Sequence, residues 1–323
     1  VVDPTPQVIE IAGRRVRLTH LDRQLWPGGP ATRATTKAEL VSYVLDVAPA
    51  LLPQLAGRPV TRVRWPQGVT GPRFFEKNAP SGTPRWVRTV DVEGSGGGRW
   101  GSSQDDDGGP VSYPLVDDEA GLVWLANLSA LELHTPQWRL PDSGDETVDG
   151  RHQHPDRLVV DLDPGPGAGL AECSELAVLV AERLVDDGLS AVPVTSGSKG
   201  MQLYAPISGT QGADVVSAYA RRLAEGLAKD VAWVTAVMAK DVRRGKVLLD
   251  WSQNNGAKTT ITPWSPRGRE HPQAAVPRRW DELGDDLFQL SLSEAAERFA
   301  AEGDPLAGVL TPDAPPGPRL PEP

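Results

Sequence analysis

The apolar run Leu158-Val159-Val160 ends on Asp161-Leu162-Asp163 and is stopped by Pro164-Gly165. A β-strand points alternate side chains to the same face, so Asp161 and Asp163 emerge together where the strand stops. Such a pair can hold divalent cations over a phosphate, because hard cations take oxygen ligands and a two-cation site needs a spacing of about 3.5 to 4 Å. Acidic residues beside Pro-Gly also serve as turn formers that bond local backbone N–H groups. The motif acquires meaning only with support elsewhere in the chain.

Two further segments give that support. Val192 to Tyr204 reads as strand, loop and strand, and the loop Ser196-Gly197-Ser198-Lys199-Gly200 combines small residues, backbone N–H groups and a cation, which suits a polyphosphate. A plain hairpin would also use Ser and Gly there. Lys246 to Asn255 then repeats the first pattern: Val247-Leu248-Leu249 ends on Asp250, followed by Trp251-Ser252-Gln253-Asn254. Asp250 is thus the candidate third carboxylate.

Composition limits the classes open to the chain. With 33 Lys and Arg against 43 Asp and Glu the net charge is −10, which argues against a protein that simply coats nucleic acid. The basic residues are clustered, however: Arg14, Arg15, Arg17 and Arg23 before Lys37; Arg58, Arg62 and Arg64; Arg243, Arg244 and Lys246; Arg267 and Arg269. That pattern predicts an acidic body with a basic cleft. The single cysteine, Cys173, excludes an internal disulfide and points to core packing in a reducing compartment. No apolar stretch approaches the roughly 20 residues of a membrane span, and the N-terminus has no signal pattern, so a cytoplasmic protein without membrane partners is expected.

Along the chain, residues 1–12 read as a flexible lead-in, 13–310 as the folded body and 311–323 as a Pro-rich disordered tail. Thr36-Lys37-Ala38-Glu39 has the form of a capping box, and Leu40, Tyr43, Val44, Val47 and Leu51 predict a helix from about Lys37 to Leu52. Strands are expected near Val60–Arg64 and Phe74–Glu76, and amphipathic helices over Leu170–Asp187, ended by Gly188, and Val215–Ala228. Trp124–His134 is buried and either helical or extended. Glu93–Pro110 and Asp142–Pro155 read as polar loops. This alternation indicates an α/β or α+β sheet with helices packed on it.

The motifs, in order, resemble the archaeo-eukaryotic primase superfamily, and most closely the polymerase domain of bacterial DNA ligase D. The resemblance rests on Arg64-Trp65-Pro66, Phe74-Phe75-Glu76-Lys77, Leu131-Glu132-Leu133-His134 with Pro136-Gln137-Trp138, and Asp161 to Gly165. It continues through Thr195 to Gly200, Lys246 to Asn254, Lys258-Thr259-Thr260 and Ser265-Pro266-Arg267-Gly268-Arg269. It implies an α+β primase-polymerase core with a central mixed or antiparallel sheet flanked by helices. It also implies a template-dependent nucleotidyltransferase of DNA repair and end joining that extends primers at gaps or broken ends, with a preference for ribonucleotides, in the bacterial nucleoid.

The same resemblance assigns roles. Asp161, Asp163 and Asp250 would ligate two Mn2+ or Mg2+ ions. His134, Ser196, Ser198, Lys199, Gln202, Arg243, Gln253 and Arg267 would hold the nucleoside triphosphate. Phe74 and Phe75 would stack on a base near the templating position, Arg64 would also contact DNA, and Arg23 with Lys37 would grip a 5'-phosphate across a gap. Gln202 stands where the family usually carries His, so a weakened or retuned polymerase is expected. The competing expectation is a gap- or end-binding protein with little catalysis. The chain has no room for the nuclease and ligase modules of ligase D, so it is either a stand-alone homologue or an excised module; Gln202 and the short Pro-rich tail favour the stand-alone expectation, with a separate ligase or end-joining protein as partner.

Overall fold

Leu158, Val160 and Leu162 alternate with Val159, Asp161 and Asp163, and the strand Arg157–Pro164 uses that alternation to sort its two faces. In the computed structural model, which describes residues 6–29, 33–92, 110–140, 147–148 and 154–321, the first set is buried against two long helices. These are α4 (Leu170–Asp186) and α5 (Ala213–Asp230), numbered in a series with α1 (Lys37–Asp46), α2 (Ala48–Leu55), α3 (Glu119–Asn127) and α6 (Leu292–Glu302). Cys173, Leu176, Val180, Val216 and Ala220 meet the strand there, each large aliphatic side chain contributing roughly 1.5–3 kcal/mol. Val159, on the opposite face, packs with Val194, Tyr204 and Ile261.

The strand sits inside a six-stranded sheet ordered Val234–Thr235, Val247–Asp250, Arg157–Pro164, Met201–Pro206, Val192–Thr195, Val276–Pro277. Only the first pair is parallel, so the sheet is mixed and mainly antiparallel. A second, four-stranded antiparallel sheet runs Thr260–Ile261, Ala130–Thr135, Thr61–Arg64, Phe74–Glu76. It shares a core with α1, α2 and α3 built on Leu40, Val44, Leu51, Leu125, Leu131 and Trp264. The Tyr204 hydroxyl, on the first sheet, reaches the Ile261 carbonyl on the second at 2.8 Å. The fold is α+β.

Several local expectations change. The helix expected over Lys37–Leu52 is two helices, since Pro49 lacks an N–H and its ring crowds the preceding turn; the chain breaks at Val47. The capping box is present, with Thr36 N donating to Glu39 Oε2 at 2.7 Å. The segment 124–134 is helical to Asn127 and extended from Ala130, with Ser129 in the left-handed region at φ 59°. Residues 7–11, expected in a loose lead-in, pair with Arg14–Leu18 through Ala12-Gly13, both at positive φ as a tight hairpin requires. The Pro-rich tail expected to be disordered is held as far as residue 321. Leu320 is buried, its N–H bonds Gln211 Oε1 at 2.7 Å and its carbonyl accepts Gln211 Nε2 at 3.0 Å. A Pro-rich segment has little backbone freedom to lose on docking, so one apolar anchor and a two-way amide contact suffice. The loop expected at 93–110 lies outside the described residues except for Pro110. Of the segment 142–155 only Thr147-Val148, paired with Asp91-Val92, and residues 154–155 are described.

Candidate active site and nucleic-acid interface

The antiparallel register sets Asp161 directly opposite Asp250 on one neighbouring strand and opposite Gln202 on the other. Asp163 lies two residues on, hence on the same face as Asp161. The three carboxylates, read from two separate segments, are therefore set on one face of the sheet by the hydrogen-bond ladder. Burial, then the charge of Asp250, push the Asp161 carboxyl up to about 7, partly offset by the Gln202 hydrogen bond.

Each carboxylate also has its own partners. Gln202 Nε2 donates to Asp161 Oδ1 at 3.1 Å, and the Tyr204 hydroxyl lies 3.0 Å from Gln202 Oε1, sharing its one hydrogen between that oxygen and Ile261. Asp163 pairs with Arg243. Arg243 is delivered by a backbone crossing at Gly165, where a Cβ would lie 1.9 Å from the Arg243 carbonyl oxygen, so no other residue fits. Asp250 accepts from Ser252 N at 3.0 Å, Ser252 Oγ at 2.5 Å and Gln253 Nε2 at 3.0 Å; Lys258 Nζ in turn bonds Ser252 Oγ.

As these side chains stand, no three His, Cys, Asp or Glu among the described residues converge on one metal position. The donor set nevertheless suits hard divalent cations. It consists of carboxylate oxygens, two from directly opposed residues, and their mutual repulsion is what a cation would relieve. Asp163 would have to exchange Arg243 for the ion.

The Ser196–Gly200 loop closes the neighbouring hairpin. Ser196 N bonds the Gly200 carbonyl at 3.0 Å, and Gly197 takes φ 65° with its Cα hard against Ala274, where a Cβ would lie 2.7 Å from the backbone. Gln289 clamps the loop, accepting from Gly197 N at 2.7 Å and donating to the Gly200 carbonyl at 2.9 Å. Lys199 is exposed, Ser198 half-buried and Ser196 buried.

His134 and Arg267 are joined by a residue given no role above, Glu132, which alternation places on the same face of the strand as His134. His134 Nε2 lies 2.9 Å from Glu132 Oε2, and Arg267 Nε lies 3.6 Å from Glu132 Oε1. Burial would push the Glu132 carboxyl up, but the His134 hydrogen bond and the charges of Arg267 and Arg269 bring it down to about 2. The charge of Arg267 also reaches Asp161.

A second group gathers Arg23, Lys37 and Arg64. Lys37 is buried, with Nζ donating to the Asn127 carbonyl at 2.8 Å, and Arg23 bonds the Pro66 carbonyl. Burial, then the charges of Arg23 and Arg64, bring Lys37 down to about 8. Arg64 forks onto Glu76 with bonds of 2.8 and 2.6 Å, and Arg62 reaches the same carboxylate at 2.8 Å. Phe74 and Phe75 open the same edge strand and stay exposed, 45% and 41%. Arg58, counted above toward a basic cleft, is instead fully buried with Arg157 and Arg139 around Asp156, and holds the Asp156 carboxyl well below its usual range despite burial.

Comparison with known proteins places these features. Residues 36–306 match the family described as LigD, primase-polymerase domain. The chain belongs to the LigD primase-polymerase family. It is 42% identical over 303 residues to the multifunctional non-homologous end joining protein LigD of Mycolicibacterium smegmatis, across 93% of this chain and 37% of that protein. The corresponding DNA repair protein LigD of Mycobacterium tuberculosis H37Rv is 43% identical over 312 residues, across 95% of this chain and 38% of that protein. The chain therefore spans well under half the length of either relative. The solved polymerase domain of Mycobacterium tuberculosis ligase D in complex with DNA superposes with a TM-score of 0.81 at 41% identity, covering 93% of this chain and 99% of that one. Among the described residues no helix is long and apolar enough to cross a membrane.

Proposed function

We propose that this LigD primase-polymerase chain is a DNA-directed nucleotidyltransferase that extends primer 3'-ends at gaps or broken ends, with a preference for ribonucleoside triphosphates, in end-joining repair. The observation that carries the reading is the register placing Asp161 opposite Asp250 with Asp163 on the same face. Two Mn2+ or Mg2+ ions bound there would supply charge neutralisation at the α-phosphate and leaving pyrophosphate and activation of the primer hydroxyl. Gln202 holds the Asp161 carboxylate in orientation, and Gln253 with Ser252 does the same for Asp250. Arg243 and Arg267, with Ser196, Ser198 and Lys199 across the adjoining loop, supply the positive charge and N–H groups that a triphosphate needs. Glu132 fixes the ring of His134 toward that nucleotide.

Away from the carboxylates, Arg23, Lys37 and Arg64 form a partly desolvated cationic pocket suited to the 5'-phosphate on the far side of a gap, while Phe74 and Phe75 offer a base a stacking surface worth about 1–3 kcal/mol. A separate ligase or end-joining protein would seal the product. The direct test is primer extension on a one-nucleotide-gapped duplex with Mn2+ and each of the ribo- and deoxyribonucleoside triphosphates. Templated addition, faster with ribonucleotides, is expected. Tight binding of the gapped DNA with no addition under any nucleotide would replace this reading with a gap-binding protein.

A further inference from the structure

Arg267 lies in the short strand Pro266–Gly268 and Arg269 follows it in a tight bend, its N–H on the Arg267 carbonyl at 2.9 Å; the charges of both guanidinium groups reach Glu132. Gly268 is required: a Cβ there would sit 2.3 Å from the Trp65 ring, so the buried indole lies flat on this backbone. Arg267 is matched by Glu132. Arg269 is not: its Nε is buried without a hydrogen bond, and among the described residues no carboxylate lies within ion-pair distance. Burial, then the charge of Arg267, bring it below its ordinary value; Glu132 acts the other way from beyond ion-pair distance, and Arg73 adds to the repulsion.

Arg269 lines an open groove with Arg73, Glu270 and His271, floored by Trp65 and Gly268. The position of the groove gives it meaning. Arg73 directly precedes the exposed Phe74-Phe75 pair, and Arg267 stands at the nucleotide site. Pro66, next to Trp65, receives the hydrogen bond of Arg23 from the phosphate pocket. A half-buried arginine repelled by two like charges and facing only a carboxylate already shared by His134 and Arg267, in a groove whose lining is adjacent in sequence to the exposed Phe74-Phe75 pair and to Arg267, is an arrangement suited to a nucleic-acid backbone.

We infer that this groove seats a phosphodiester of the template strand, with Arg269 as its principal contact and Arg73 as a second. The inference rests on the functional reading above but concerns binding alone, so it can stand or fall separately. The same chemistry could answer to the incoming triphosphate, and the test distinguishes the two.

The experiment measures the Kd of gapped DNA by fluorescence anisotropy, without nucleotide, for the unmodified chain and for Arg269→Gln and Arg269→Lys. Single neutral methylphosphonate linkages are moved along the template strand opposite and beside the gap. Arg269→Gln should weaken binding about 10-fold and reduce the slope of log Kd against log salt by about 1, while Arg269→Lys keeps most of that slope. One template linkage, when neutralised, should weaken binding by the unmodified chain to a similar degree and abolish the difference between it and Arg269→Gln. If no neutral linkage affects the unmodified chain, or if the two losses simply add, the groove does not hold the template. A rise in nucleotide KM with unchanged DNA affinity would assign Arg269 to the triphosphate instead and also overturn the inference. Should Arg269→Gln fail to fold, the linkage scan on the unmodified chain decides alone. A chain that passes this test yet adds no nucleotide would leave the groove standing and remove the catalytic reading.

Discussion

The carboxylate site and the Arg23–Lys37–Arg64 pocket are built on opposite principles, yet their electrostatics match. At the first, burial and then crowded negative charge push Asp161 up to about 7; at the second, burial and then crowded positive charge bring Lys37 down to about 8. Each site holds like charges in a state that a ligand of opposite sign would relieve, a metal ion in one and a phosphate in the other. The difference lies in how the charges are positioned. Asp161, Asp163 and Asp250 are fixed by the ladder of adjacent strands, whereas Arg23, Lys37 and Arg64 come from a loop, a helix start and the other sheet, and are fixed by packing and by carbonyls such as that of Asn127.

The sharpest way to break this pairing is to remove charge from the first site only. Asp161→Asn or Asp163→Asn should lower the single-turnover rate of nucleotide addition on the order of 10³-fold or more, as expected from losing several kcal/mol of charge stabilisation. Gapped-DNA affinity should change by less than about threefold, since Arg23, Lys37 and Arg64 are untouched. If both variants extend primers at the ordinary rate, the carboxylates are turn formers and the comparison loses one side.

The converse change removes charge from the second site. Arg23→Ala combined with Lys37→Ala should reduce affinity for a 5'-phosphorylated gap by roughly 10- to 100-fold, the range for losing charge-assisted bonds, and leave the unphosphorylated gap nearly unaffected. Equal affinity for both gaps in the unmodified chain would show that no phosphate site exists there.

The two sites also differ in how far the sequence revealed them. Asp-X-Asp-Pro-Gly and the second strand ending on Asp250 express a period of two, and strand pairing turned that period directly into proximity. Glu132, two residues before His134 on one strand, carries the same period, but an acidic residue in an apolar run gives no sign of the His134 and Arg267 partners that define it. Gln289, which clamps the Ser196–Gly200 loop from about 90 residues away, had no local signal at all. For the phosphate pocket, charge clustering suggested a basic surface but could not separate Arg58, buried around Asp156, from Arg64. That distinction depends on tertiary burial. The fold class followed from alternating patterns, whereas the tail and the helix break at Val47 depended on single prolines and one buried leucine.

Gln202 sharpens the comparison from the inside. Its amide lies between Asp161 and the Tyr204 hydroxyl, so its first effect falls on a carboxylate and not on a triphosphate. Gln202→Leu should raise the Mn2+ concentration for half-maximal activity about 10-fold, the value of a bond to a charged group, with gapped-DNA affinity unchanged. Gln202→His should restore a donor to Asp161 and recover most of that loss. An unchanged metal dependence in the leucine variant would show that Asp161 is positioned by its strand alone.

The smallest effect concerns pH and tests whether the phosphate pocket is as strained as its geometry indicates. Lys37 has its value brought from near 10.5 to about 8 by burial and by Arg23 and Arg64, so in the free protein it is charged below pH 8 and loses its proton above it. A 5'-phosphate is close to doubly charged throughout the range from pH 7 to 9, its second pKa being about 6, so the ligand contributes almost no titration there. The affinity ratio between phosphorylated and unphosphorylated gaps cancels ionisations elsewhere in the protein. That ratio should be greatest near pH 7 and fall severalfold by pH 9. The bound phosphate dianion favours the charged lysine, so the midpoint measured from the complex should lie above 8, and the fall should become shallower as salt weakens that attraction and narrows the gap between free and bound values. A ratio that stays flat from pH 7 to 9 at all salt concentrations would mean that Lys37 keeps its proton or does not face the phosphate, and Arg23 and Arg64 would then account for any remaining preference.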